Sequence, residues 1–239
     1  MFSHKGKTRT AKHNLGIASL LSFVAGLVNV VGFFSVQKLT TNVTGHFAYF
    51  VDEAFKQDFR SAFHVALYIF FFFLGAFFSN FMVEIYSRRR ENLIYIIPTV
   101  TEAVILATLA FTGSFLIEKN PDLIAFSLLF AMGMQNSLVT SISNAVVRTT
   151  HLTGLFTDMG IEFSQLFFYK DQKHKKKLIK SIKLRLTIIW LFFAGGVSGG
   201  ILYTHFGIRT LMFGSFILLL GLLYDFLKIR LLLLRRKLS

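Results

Sequence analysis

The chain has 239 residues, of which 54% are hydrophobic and 30 are phenylalanine, and its mean hydropathy is +0.59. A soluble domain of this length rarely carries so much apolar sequence. The formal net charge of +14 would point to nucleic acid on a soluble chain, but here the basic residues gather between apolar runs, so orientation in a bilayer is the simpler reading and no nucleic-acid partner is expected. Cysteine is absent, which excludes disulfides, thiolate metal sites and a cysteine nucleophile.

The apolar runs predict an all-α membrane protein. Several exceed the ~18 residues needed to cross a hydrocarbon core of about 30 Å, and none shows the alternation of a transmembrane β-strand. A basic N-tail, 1–14, precedes a first run with no small-residue cleavage site after it, so that run reads as a retained span. Six spans are predicted, roughly 15–37, 62–85, 93–117, 122–147, 184–206 and 210–230, before a basic C-tail at 231–239. Two stretches, 44–59 and 153–169, are moderately apolar but acidic, and read as re-entrant or interfacial half-helices or as full spans. With six spans and both termini cytoplasmic, 21 of the 26 Lys and Arg residues fall on the inner side, as the positive-inside rule requires. The expected location is a bacterial inner membrane.

The chain repeats itself. Gly26-Leu27-Val28-Asn29 is followed by Thr44-Gly45, and Gly133-Met134-Gln135-Asn136 by Thr153-Gly154. Phe72-Phe73-Leu74-Gly75-Ala76 has a counterpart in Phe192-Phe193-Ala194-Gly195-Gly196. Residues 15–117 therefore read as one three-helix repeat and 118–230 as a second, lengthened by a Lys-rich insertion near 170–183. An odd number of spans per repeat inverts the second relative to the first, an arrangement of secondary transporters with sites near the midplane.

Both motifs resemble the YoaK-like family of bacterial membrane proteins of unknown function, with Arg148-Thr149-Thr150-His151-Leu152-Thr153-Gly154 the more specific signature. The resemblance covers nearly the whole chain and implies an integral membrane fold without an assigned activity. That family usually has Asp where this chain has Asn29, and Asn where it has His46, so a site carboxylate is missing here.

Asn29 and Asn136 fall near mid-span, where an unpaired amide costs several kcal/mol, so each is read as a site group or as interhelical glue. Thr44-Gly45 and Thr153-Gly154 are expected to start short helices, Thr as N-cap, with free N–H groups suited to an anionic or carbonyl ligand. Glu102 is the deepest acidic residue and reads as a proton-coupling or substrate group, or as a neutral Glu bonded to backbone freed by Pro98. Asp225 is placed nearer the inner interface and Glu84 in solvent. Arg148 reads as an anion clamp or as a snorkelling cation. Gly195, Gly196, Gly199 and Gly200 form two Gly-x-x-x-Gly pairs that suit close packing within the bundle or in a homodimer. Lys170 to Arg185 reads as a basic loop touching anionic lipid headgroups.

No catalytic or cofactor motif stands out, and no metal-ligand spacing links the histidines. The leading expectation is a small-solute transporter or permease whose substrate groups are Asn29, Thr44, Gly45, Glu102, Gln135, Asn136, Arg148, Thr153 and Gly154. The alternatives are a membrane-embedded enzyme pairing Glu102 with His46 or His151, and a non-catalytic membrane partner docking through the Lys-rich stretch.

Overall fold

A computed structural model describes residues 11–87, 95–143, 146–169 and 171–238. The Arg88-Arg89-Arg90 run, most of the N-tail and Lys170, all used in the charge count, lie outside them. The described residues form eight α-helices: α1 Ala11–Val36, α2 Val43–Phe55, α3 Phe59–Ser87, α4 Ile96–Lys119, α5 Pro121–Ser143, α6 Leu152–Phe168, α7 Gln172–Phe206 and α8 Leu211–Leu238. A 3-10 turn, Gly207–Thr210, separates the last two.

Five stretches are long and apolar enough to cross a bilayer: Asn14–Val36, Phe59–Tyr86, Ile96–Lys119, Pro121–Ser143 and Gln172–Lys228, the last holding both α7 and α8. α2 and α6 have 13 and 17 residues. At 1.5 Å per residue they measure about 20 and 26 Å, less than a hydrocarbon core of about 30 Å. The outward faces are apolar. Phe70, Phe73, Phe77 and Phe81 on α3 are exposed, as are Trp190, Phe193, Val197 and Ile201 on α7. Such stripes are stable against lipid and not against water. The protein is therefore a multi-pass helical membrane protein.

Two helix pairs form the heart of the bundle, α1 with α7 and α3 with α5. Both are built on backbone contact. A Cβ added to Gly26 would lie 1.9 Å from the Phe192 carbonyl oxygen, and one on Gly195 would lie 2.0 Å from that of Phe23. In the other pair, Gly133 meets the Phe72 carbonyl at 2.1 Å and Gly75 that of Phe130 at 2.0 Å by the same measure. Lipid tails offer no hydrophobic drive for helices to associate, so close approach through small residues does that work. The Gly-x-x-x-Gly spacing of α7 is thus used inside the chain, Gly195 on Phe23 and Gly199 on Leu27.

The contacts also fix relative directions. Gly195 and Gly199 meet Phe23 and Leu27 in the same order, so α7 runs parallel to α1. Gly214 and Gly221 meet Leu27 and Leu20 in reverse order, so α8 runs antiparallel to α1. Gly207, at φ +56°, makes the break that lets α8 turn back. Tyr68 reaches Asp122 and Asn80 reaches Ser141, so α3 and α5 are parallel. Asn120 and Pro121 turn α4 into α5: Asn120 Oδ1 accepts from the Leu123 N–H at 3.3 Å, and Pro121 takes the first helical position.

One expectation needs correction. The stretch read as a basic loop is helical from Gln172, because Asp171 caps α7 by accepting from the His174 N–H at 2.9 Å and Leu178 and Ile182 bury one face of the Lys-rich turns. α8 itself continues through the basic C-tail to Leu238. Asp225 of α8 is buried, at 1% exposure. In the turn before α3, Asp58 accepts from the N–H and the hydroxyl of Ser61, and these bonds hold its carboxyl below the usual range.

A Gly133→Val variant should lose at least about 3 kcal/mol, more than ordinary overpacking, because two backbones must separate. Gly160→Ala, at a position with no neighbour within 4 Å, should be neutral or slightly stabilising. Thermal unfolding in detergent measures both.

Candidate functional site

The two Thr-Gly strings meet. They line one cavity of about 900 Å³, together with Asn29 from α1, Asn136 and Thr140 from α5, Phe72 from α3 and Phe192 from α7. Asn29 stands three residues after Gly26, and Asn136 three after Gly133, so each shares a helix face with the glycine that holds its helix in place. The strings 37–42 and 146–151 then turn back from the helix ends. Thr41 Oγ1 donates to Asn29 Oδ1 at 2.9 Å, and Thr150 Oγ1 donates to Asn136 Oδ1 at 2.7 Å. The same bond thus anchors each string to its own helix.

The start of each short helix follows from the Thr-Gly dipeptide, though not as expected. Thr44 and Thr153 are not caps but lie in the first turn, and the N-cap positions belong to Asn42 and His151. Asn42 Oδ1 accepts from the Gly45 N–H at 3.0 Å. A Cβ on Gly45 would lie 2.9 Å from the Asn42 side chain, and one on Gly154 would lie 2.2 Å from the His151 ring. Glycine is needed there because the capping side chain folds over it. His151 makes no side-chain cap bond, so the first-turn amides of α6 are left without one. Both helix N-termini, with their partial positive charge, belong to segments that line the cavity. Arg148 lines it as well, and no carboxylate appears among the described lining residues.

Asn29, Thr44, Gly45, Asn136, Arg148 and Thr153 are therefore in the wall, and Gly154 sits beneath His151. Gln135 and Glu102 are not in the wall. Both are buried, Glu102 at 1% exposure, and Gln135 Nε2 donates to Glu102 Oε1 at 3.0 Å behind the cavity. Thr149, also buried, stands between Gln135 and Asn136. Glu102 lines neither the cavity of His151 nor that of His46.

Three polar wall residues were not among the expected site groups, Thr41, Asn42 and Thr150, and His151 was expected only as part of the enzyme alternative. Their signal is present in the sequence, since a Thr-Thr pair ends three residues before the Thr of each Thr-Gly. A second cavity, of about 580 Å³, lies among Lys38, His46, Arg60, His64, Tyr68 and Asp122. Tyr68 donates to Asp122, and His46 Nε2 is 2.8 Å from the Leu39 carbonyl oxygen. Arg185 of α7 is paired with Asp158 at 2.9 Å and Glu162 at 3.4 Å on α6. No group of histidines and carboxylates that could hold a metal ion occurs among the described residues.

The class is the multi-pass helical membrane protein with a polar cavity inside the bundle. Residues 17–224 match the profile described as "Protein of unknown function (DUF1275)", and the chain belongs to that family. The resemblance to a membrane family without an assigned activity is borne out. No curated protein and no solved structure matches the chain.

Thr41→Val and Thr150→Val each remove the donor to a buried-end amide. Each should cost about 0.6–1.5 kcal/mol, and by similar amounts if the two anchors are equivalent; thermal unfolding of both variants measures this.

Proposed function

We propose that this protein is a small-solute transporter or permease, and that the cavity between its two halves binds an anionic solute. The observation that carries the reading is the convergence of both Thr-Gly strings, two short-helix N-termini and Arg148 on one cavity with no carboxylate among its described lining residues. Helix N-termini favour negative charge, and Arg offers a planar fork for carboxylate or phosphate. Three amides, Asn29, Asn42 and Asn136, and five threonines in the wall supply further hydrogen bonds of either sense.

In this reading six helices span the membrane: α1, α3, α4, α5, α7 and α8. α2 and α6 are re-entrant half-helices. α1 to α4 and α5 to α8 are two units of opposite orientation, so the cavity lies at their interface and rocking one against the other exposes it alternately. The parallel pairing of α1 with α7 and of α3 with α5 supports it, since in this scheme the members of each pair cross in the same direction. Both termini lie in the cytoplasm of a bacterial cell with the protein in the inner membrane, and the Lys-rich start of α7 meets anionic headgroups.

Uptake into proteoliposomes across a panel of carboxylates, phosphates and neutral solutes tests the function. Anion uptake is expected, reduced about tenfold or more by Arg148→Ala, the loss of one charge-assisted bond, and reduced also by Asn136→Ala. Uptake of no solute, or uptake indifferent to both changes, refutes it. The absence of cysteine makes the topology testable without background: Lys176→Cys should react with an impermeant maleimide only from the cytoplasmic side, and Asn120→Cys only from the outer side.

A further inference from the structure

The two halves of the chain carry the same packing but not the same polar groups. Thr40 and Thr149 hold equivalent places in the two strings, and both are fully buried. The hydroxyl of Thr40 has no partner, because the residue before Asn29 is Val28. The residue before Asn136 is Gln135, and there a chain of hydrogen bonds begins. Gln135 Nε2 donates to Glu102 Oε1 at 3.0 Å, and Thr149 Oγ1 stands 3.4 Å from Gln135 Oε1 and 3.5 Å from Asn136 Oδ1. The fold does not need this chain, since the first half packs equally closely with Val28 in its place. A carboxyl inside a bundle is costly and marks proton or ion pathways more than it marks packing.

We propose that Glu102 is a proton-binding site whose occupancy is read in the cavity through Gln135 and Thr149. The coupling role rests on the transport reading above and makes the proton the coupling ion. The switch is a matter of hydrogen-bond direction. Thr149 has one hydroxyl hydrogen and two acceptors in reach, so it serves Gln135 or Asn136 but not both. With Glu102 as carboxylate, Gln135 must present N–H to it, its oxygen faces Thr149, and the Thr149 hydrogen is drawn away from Asn136. When a proton binds, the carboxyl O–H becomes a donor. The Gln135 amide turns over, its oxygen accepting from Glu102 and its N–H donating to Thr149. The Thr149 hydrogen then passes to Asn136 Oδ1, which lines the cavity. On release the O–H bond breaks, the electron pair stays on the carboxylate, the proton goes to water and the amide turns back.

The titratable groups on the elements packed against α4 leave this site to itself. On α3 they are Arg60, His64 and Tyr68 at its start and Glu84 and Tyr86 at its end, on α5 Asp122 in the first turn, in the turn before α8 Arg209, which is exposed, and on α8 Tyr224, Lys228 and Arg230, also exposed. Asp225 on α8 interacts with Tyr95, two turns from Glu102, and Asn14–Val36 of α1 holds no titratable side chain. No ion pair involves Glu102 among the described residues, and its polar partner is Gln135.

Infrared difference spectra of the reconstituted full-length protein across a pH titration test the site. One buried carboxylic-acid carbonyl band should grow on acidification, vanish in Glu102→Gln and shift in Gln135→Leu, which lacks the amide. Loss of no titrating band in Glu102→Gln overturns the proposal. Should that variant fail to fold, a hydrophobic carbodiimide decides on the unaltered protein: it should label Glu102, mapped by mass spectrometry, at acid pH and not at alkaline pH. Labelling at no pH, or equally at all, overturns it too. The two readings separate cleanly. A Glu102 that titrates in a protein that moves no solute keeps the proton site and sinks transport. Uptake indifferent to an imposed proton gradient keeps transport and sinks the coupling.

Discussion

Four glycines that lie against four phenylalanine carbonyls hold the rest of the molecule in register. In lipid, side-chain burial gives helices little reason to associate, and the remaining attraction is close packing and hydrogen bonding. Gly26 on Phe192, Gly195 on Phe23, Gly133 on Phe72 and Gly75 on Phe130 bring backbones nearly into contact. Once they touch, neither helix can slide or rotate without clashing. That rigidity sets where Asn29 and Asn136 point, one helical step beyond Gly26 and Gly133. Phe72 and Phe192, whose carbonyls receive two of those glycines, also stand in the cavity wall. Packing and site are therefore one construction.

Irregular backbone at membrane depth is tolerated only where it is buried in protein or lines a cavity. The strings before α2 and α6 meet that condition by bonding back to their own helices, Thr41 to Asn29 and Thr150 to Asn136. The short helices that follow begin under Asn42 and His151, and Gly45 and Gly154 leave room for those side chains. The polar groups thus satisfy one another first, and what they leave free is a cavity with helix ends and one arginine. Away from the cavity, Arg185 bridges α7 to α6 and Gln135 reaches Glu102.

Much of this was legible. The apolar runs announced the long helices because a bilayer leaves few other ways to satisfy a backbone. The doubled motif announced that Asn29, Asn136 and the Thr-Gly strings belong to equivalent places. Less legible was the Lys-rich stretch, read as a loop for its charge. Lysine is a good helix former, and the buried faces of Leu178 and Ile182 decide the matter. The Thr-Gly pairs were seen, but their roles were exchanged: the cap lies two residues earlier, and the glycine serves the cap and not a turn.

Composition and spacing by themselves determined that this is a helical membrane protein with an internal echo, because hydrophobicity and repetition are properties of the chain taken in order. They could not determine that α1 pairs with α7 and α3 with α5, since each pair joins one copy of the echo to the other across more than fifty residues. Nor could they place Glu102 behind the cavity and not in its wall. Depth along a helix can be counted in residues, but the face it turns to its neighbours depends on which backbones touch, and only the folded bundle decides that.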